Sequence, residues 1–460
     1  MIMKKMKHDV PTRLVKVLNL ILMMIAFGFV WYEYYAARAQ VHYYRRGDWV
    51  VILLFGILYY GFCRSYDAFH ISTSSISEII YSQTLALVIS DFIMYVVIWL
   101  LSLYMPNAVP LLITFGVQFL ISVLWTFLAH QWYFHNFRPG RTAVIYDLRE
   151  GMESLVGEYG MEKKFHIEKV LGVEECLAKL SVLDEMDTVF LSGIHSHERN
   201  IILKYCMYQD IQVYVIPRIG DVIMGGAKKV HMFHLPMLRI DRYRPIPEYT
   251  IAKRAFDILF SGIAIVIASP FMLVTAIAIK SDGGPALYKQ KRLTKDGKEF
   301  NVLKFRSMRV DAEKDGVARL STGDKDDRIT PVGKIIRKIR FDELPQLFNI
   351  LRGDMSIVGP RPERPEIARQ YEEEMPEFRL RLQAKAGLTG YAQVYGKYNT
   401  TPYDKLLMDL TYIGTPSLWE DFKICLATVK ILFMPESTEG VEEGQATAMG
   451  NGHSKGRQAD

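Results

Sequence analysis

Asp342 and Glu343 stand side by side in the segment Arg340 to Pro362, RFDELPQLFNILRGDMSIVGPRP, with arginines on either side. Adjacent carboxylates amid cations stay ionised. That suits either holding a divalent cation or attacking phosphorus through a carboxylate oxygen. Arg337 lies shortly before the pair, Arg361 sits in the Gly-Pro-Arg-Pro turn, and Lys304 and Arg306 come from LKFRSM (303–308), which reads as a strand. Cations gathered in this way point to an anionic substrate, diphosphate above all, and a helix N-terminus beside the pair would also hold phosphate. A plainer reading stands beside this one. Asp342 caps a helix with the apolar face Leu344, Leu347, Phe348 and Leu351, Pro345 is tolerated in the first turn, and Gly353 ends it.

The elements that must position these residues belong to a chain of 460 residues, longer than one ordinary domain. Half of the residues are hydrophobic and the mean hydropathy is +0.07, which suggests membrane segments. A net charge of +6 fits an anionic membrane surface or phosphate ligands better than nucleic acid. The four cysteines have no paired spacing, which argues against zinc and against a disulfide framework. Leu14–Tyr34, Trp49–Cys63, Leu85–Tyr104 and Val109–Ala129 each approach the ~20 apolar residues needed to cross a bilayer. Tyrosines and tryptophans gather at their ends. Lys4, Lys5, Lys7, Arg13 and Lys16 precede or open the first span, and Arg138 and Arg141 follow the fourth. This bias puts the N-terminus and everything after residue 130 in the cytoplasm, against the weaker pull of Arg38, Arg45 and Arg46.

Downstream, TAVIYD (142–147), TVFLSG (188–193) and IQVYVIP (211–217) read as buried strands with helices between them, a βαβ pattern. The turn after the first strand, YDLREG, lacks the glycines of a dinucleotide fingerprint, so the expectation is a Rossmann-like accessory unit without cofactor. Ile258–Ile279 then runs without a charge, yet Ser269-Pro270 interrupts it. Cations flank both ends: Lys253 and Arg254 before, and Lys280, Lys289, Lys291 and Arg292 after. Both ends therefore prefer the cytoplasmic face, and a helix that enters, breaks at Ser-Pro and returns satisfies that. The alternative is a kinked span. The Ser269 hydroxyl is expected to satisfy a carbonyl freed by the proline. VGKIIRKIR (332–340) and LWEDFKICLATVKILF (418–433) have amphipathic spacing, and the tail after Pro435 is polar and glycine-rich, hence expected to be disordered.

KRAFD (253–257), the Ser-Pro helix, QKRLTKDGKEFNVLKFRSM (290–308), FDELPQLFNILRGDMSIVGPRP (341–362) and KAGLTGYAQVYGKYN (385–399) follow one another in this order. Together they resemble the bacterial sugar transferases, the monotopic polyprenyl-phosphate glycosyl-1-phosphate transferases. The upstream four spans and α/β unit resemble the family's long form. The resemblance implies four transmembrane helices (1–135), a Rossmann-like domain (136–245), an α/β catalytic domain with a re-entrant helix 253–280 (246–433), and a tail (434–460). It implies an enzyme of the bacterial inner membrane, its catalytic domain on the cytoplasmic face. That enzyme moves a sugar-1-phosphate from a UDP-sugar to undecaprenyl phosphate, releases UMP and starts an exopolysaccharide, capsule or O-antigen. By the same resemblance Asp342 is the nucleophile, and Glu343 assists by holding Mg²⁺ or deprotonating the lipid phosphate. Asp342 and Glu343 are the metal ligands. Lys304, Arg306, Arg337 and Arg361 grip phosphates, with Arg292 nearby, and Lys253 and Arg254 hold the lipid headgroup. No nucleic acid is involved, and a homodimer is compatible with it. Two departures bear on sugar contacts: Thr294 where the family often has glycine, and Lys385-Ala386-Gly387 where it often has Arg-Pro-Gly.

Overall fold

The computed structural model describes residues 2–36, 46–102, 104–149, 151–281, 283–310, 328–396 and 400–432. Arg38, Arg45, the end of GKYN, Phe433 and the tail 434–460 lie outside the described residues. The chain divides into two units, Met1–Ile216 and Pro217–Asp460.

The first unit opens with four helices, α1 (Ile2–Val30), α2 (Arg46–Ser65), α3 (Ile76–Leu101) and α4 (Val109–Asn136). They are long and apolar enough to cross a membrane and overlap the four expected segments, the third starting nine residues earlier and ending three residues earlier than expected. Apolar side chains alone do not set their register. Tyr59 donates to Asn19 Oδ1 at 2.9 Å, and Ser122 donates to Gln83 Oε1 at 2.7 Å, a polar layer shared by all four helices. The chain then alternates strand and helix: β1 (Gly140–Tyr146), α5 (Met152–Glu158), β2 (Phe165–Gly172), α6 (Val173–Ala178), β3 (Thr188–Ser192), α7 (Ser196–Tyr208) and β4 (Gln212–Val215). All strand pairs are parallel, in the order β2-β1-β3-β4. Residues of opposite parity enter opposite cores. Ala143, Ile145, Val189 and Leu191 pack with Cys176 and Cys206 on one face, and Val144 and Phe190 with Val156 and Phe165 on the other. The sheet is therefore doubly wound, but its order is the flavodoxin type, not the 3-2-1 of a dinucleotide-binding half. The strand β2 escaped the sequence reading because FHIEKVLG, at the sheet edge, alternates with charges.

The second unit starts earlier than the sequence suggests. The segment 217–245, assigned above to the Rossmann-like domain, carries α8 (Ile219–Gly225) and the hairpin β5 (Lys228–Met232) and β6 (Leu235–Arg239). Ile219, Val222 and Tyr243 pack into a core with Val358, Phe378, Leu406 and Leu410. A chain beginning at residue 217 is expected to melt cooperatively in detergent. One beginning at 246 loses these three side chains and should melt about 5–10 °C lower; equal midpoints would return the segment to the upstream unit.

α9 (Pro247–Lys280) follows as one helix. The expected break is the loss of one hydrogen bond and not an end of the helix: Pro270 has no N–H for the Val266 carbonyl, and the Ser269 hydroxyl donates to that carbonyl at 2.8 Å. Ser269→Ala should cost about 1 kcal/mol, read as a lower melting midpoint in detergent micelles. Beyond α9 come the antiparallel β7 (Leu287–Leu293) and β8 (Glu299–Phe305), α10 (Pro331–Lys338), α11 (Gln346–Arg352), β9 (Ser356–Val358), α12 (Pro365–Glu374), β10 (Gly387–Thr389), α13 (Tyr391–Tyr395), α14 (Pro402–Gly414) and α15 (Leu418–Leu432). β9 and β10 pair in parallel.

α9 is anchored along its length. Near its start Arg254 donates to the Ile350 and Leu351 carbonyls at 2.7 and 2.8 Å. Its middle, Ala264 and Ile265, packs with Val302, Leu347 and Ile350. At its end Ile279 is buried against Phe305 and Ile336. Its other side is apolar and open, with Val266 73% and Ile267 66% exposed.

Candidate active site

The acid pair lies on a short turn and not at a helix cap. Arg340 takes a left-handed conformation (φ 55°) just after α10, and Phe341–Glu343 form one 3₁₀ turn before Pro345 opens α11. The expected end holds: Gly353, at φ 93°, closes α11. The expected apolar face is shifted. Leu347 and Ile350 are buried with Gln346 and Asn349, while Phe348 is 39% exposed.

Two expected phosphate ligands meet Glu343. Its Oε1 lies 2.8 Å from Lys304 Nζ and 3.3 Å from Arg361 Nη2. Burial alone would raise the Glu343 pKa, but Lys304 and Arg361 overcome it and hold the carboxyl well below the usual range. Asp342 goes the other way. Burial raises its pKa, the neighbouring Glu343 charge adds to that, and Lys304, Arg337 and Arg361 counteract in part. The pair is thus split into a clamped carboxylate and one whose basicity is enhanced.

The cations are placed by elements that the sequence reading passed over. Asn349, fully buried, accepts from the Leu303 N–H at 2.9 Å and donates to the Asn301 carbonyl at 2.8 Å, binding α11 to β8 beside Lys304. Asp257 on α9 accepts from Ser356 Oγ at 3.1 Å and the Ile357 N–H at 2.9 Å, seating β9. The loop after β9 then carries Arg361. Gly359 allows it: a Cβ there would come within 2.3 Å of the Lys385 carbonyl oxygen. Thr294, one of the two departures, donates to the Asp354 carbonyl and accepts from the Ala386 N–H, joining the hairpin to the strand that precedes the loop and the segment that leads into β10.

Four expected ligands are engaged elsewhere. Arg306 is buried and donates to the Pro285, Ile279 and Met308 carbonyls, closing the end of α9. It cannot serve phosphate without abandoning them. Lys253 pairs with the buried Asp421 at 2.9 Å and donates to Tyr412 OH, so it too is structural. Arg254 neutralises the C-terminus of α11, as described above, where Lys385 Nζ donates to the Gly353 carbonyl. Arg292 donates to the Pro362 carbonyl at 3.0 Å and to Gln290, and burial lowers its pKa to about 10, so it supports the Arg361 loop. Arg337 lowers the Asp342 pKa in part.

No group of three or more His, Cys, Asp or Glu side chains suited to a metal occurs among the described residues. Magnesium commonly uses one or two carboxylates, substrate phosphates and water. The donors fit that pattern through Asp342. Glu343 offers less, since Lys304 and Arg361 both occupy its Oε1 and leave only the second oxygen for a cation.

Among the described residues, five apolar helices and an α/β unit with a half-buried acid pair among cations define a membrane protein with an α/β catalytic unit. The family model for bacterial sugar transferase matches residues 248–435. The chain is 41% identical over 201 residues to a UDP-glucose:undecaprenyl-phosphate glucose-1-phosphate transferase of Caulobacter vibrioides, covering 42% of this chain and 74% of that protein. It is 39% identical over 234 residues to a UDP-N-acetylgalactosamine-undecaprenyl-phosphate N-acetylgalactosaminephosphotransferase of Aeromonas hydrophila, covering 50% and 54%. A galactosyl transferase CpsE of Streptococcus agalactiae is 41% identical over 197 residues, covering 41% and 43%. The chain belongs to the bacterial sugar transferase family. Apart from the Caulobacter protein, it spans about half the length of these relatives.

Proposed function

We propose that the protein transfers a sugar-1-phosphate from a UDP-sugar to undecaprenyl phosphate and so starts a bacterial surface glycan. The observation that carries this reading is the split acid pair: Glu343 clamped by Lys304 and Arg361, and Asp342 left as the more basic carboxylate beside them. In the first step an Asp342 oxygen attacks the sugar-linked phosphorus of the donor. A bond from phosphorus to Asp342 forms, the bond to the bridging oxygen breaks, and UMP leaves with that electron pair. In the second step the lipid phosphate oxygen attacks the aspartyl phosphosugar, and the Asp342 carboxylate is regenerated. A covalent route lets two bulky substrates use one site in turn, with ping-pong kinetics. Lys304 and Arg361 face the donor's diphosphate. Glu343, held below the usual range, is a poor proton acceptor, so its part is to fix these two cations. Mg²⁺, held by Asp342 with the phosphate oxygens, would neutralise charge on the transferring group.

The anchoring of α9 supports the part of the re-entrant reading that keeps both ends on one face, although the helix runs on through Ser-Pro. A crossing would put Lys253 and Lys280 on opposite sides of an apolar core ~30 Å thick. Instead Arg254 and Ile279 are both held by the same unit, as are Ala264 and Ile265 between them. Both ends then lie on the cytoplasmic face of the bacterial plasma membrane, where nucleotide sugars are made. The relatives' names carry glucose, N-acetylgalactosamine and galactose, so similarity leaves the sugar open.

The test incubates purified protein with undecaprenyl phosphate, Mg²⁺ and a panel of UDP-sugars and identifies the released nucleotide. UMP from one donor is expected. UDP would mean that the sugar moves without its phosphate, and Asp342 would lose its role. Silence with every donor would favour a membrane scaffold.

A further inference from the structure

We infer that Arg381, carried by Asp409, is a positioning residue for Arg361; this rests on the assignment of Arg361 to the donor's phosphates. Arg381 lies on the 3₁₀ segment Pro376–Gln383 and Asp409 on α14; they are 4% and 1% exposed. Arg381 Nη2 donates to the Arg361 backbone carbonyl at 2.8 Å and lies 2.7 Å from Asp409 Oδ2. Its Nη1 is 3.7 Å from Glu363 Oε1, and its guanidinium lies over the Phe378 ring, 4.9 Å from the centroid. Arg292 grips the next carbonyl, Pro362, and lies 3.7 Å from the other Glu363 oxygen. One buried and one half-buried guanidinium therefore hold successive carbonyls of the loop whose side chain reaches Glu343.

A buried arginine carries a large desolvation cost, and here its compensation comes from Asp409 and Glu363 while one donor goes to main chain. A planar guanidinium can bond the carboxylate and the carbonyl together, which a lysine ammonium does with less directional control. The Arg361 main chain is held through its carbonyl, and the direction in which its side chain meets a phosphate follows from the carbonyl that Arg381 fixes. Arg381 touches neither the acid pair nor Lys304 among the described contacts, so its effect on turnover must pass through the loop.

A double-mutant cycle on the full-length protein in detergent tests this, with UMP release from the active UDP-sugar as readout. Arg381→Lys is expected to lower kcat/KM by about 30-fold, the scale of a small misplacement of a catalytic group. In an Arg361→Lys background, itself impaired, the same change should cost less than about threefold. KM for undecaprenyl phosphate should move little in either. Should Arg381→Lys fail to fold, Asp409→Asn replaces it in the same cycle. Equal losses in both backgrounds would overturn the inference. So would failure of both variants to fold, which would reduce the pair to a stability element. Full activity in Arg361→Lys alone would instead overturn the underlying reading of the site, whatever Arg381 does.

Discussion

Asp342→Asn is expected to abolish turnover, by on the order of 10⁴-fold in kcat or more, the scale seen when a covalent nucleophile is removed. The amide keeps the shape of the turn but has no oxygen basic enough to attack phosphorus. Mass spectrometry of wild-type protein mixed with donor alone should show a phosphosugar adduct on the peptide holding Asp342, and the variant should show none. A second consequence runs opposite to the usual direction for a buried substitution. The Asp342 pKa is raised in the folded protein, so ionisation at neutral pH opposes folding. The amide removes that opposition, and the melting midpoint should rise slightly. Substantial residual turnover would refute the nucleophile assignment, and a lower midpoint would refute the electrostatic account of the site.

Glu343→Gln is expected to reduce kcat/KM by roughly 10²–10³-fold, comparable to the loss of a key electrostatic group in an active site. The glutamine no longer anchors Lys304 and Arg361, which then lack a fixed direction toward the donor. The pH profile separates this role from proton abstraction. Activity should fall on the acid side as Asp342 takes up a proton, at a pH above the ordinary aspartate value. Glu343 contributes to that elevation, and the two cations counter it. Removing the Glu343 charge therefore moves the acid limb to lower pH, while Lys304→Met, which removes a cation, moves it to higher pH. Were Glu343 the base for the lipid phosphate, Glu343→Gln would erase its limb altogether and leave the other where it was.

The sequence showed the acid pair and two of its cations better than the duties of their neighbours. Asp342, Glu343, Lys304 and Arg361 were found because opposite charges at a short turn and a proline-framed loop leave a visible pattern, and the structure brings them together. Arg306, Lys253 and Arg254 have the same composition signal and a different use: a buried guanidinium or ammonium satisfies carbonyls or a carboxylate that are remote in sequence. Asn349, Asp257, Arg381 and Asp409 raised no signal for the same reason, since each acts through a long-range partner. The four apolar helices and three of the four strands were legible from period and length. The strand β2 was not, because an edge strand with one wet face looks like an exposed segment. The domain boundary slipped because Ile219, Val222 and Tyr243 are ordinary apolar residues whose allegiance only tertiary packing decides.

α9 lies within the second unit and carries that unit's open apolar strip, so on the proposed function the chemistry and its attachment to lipid travel together in one stretch of chain. Such a unit can be joined by recombination to unrelated upstream partners without rebuilding its own attachment.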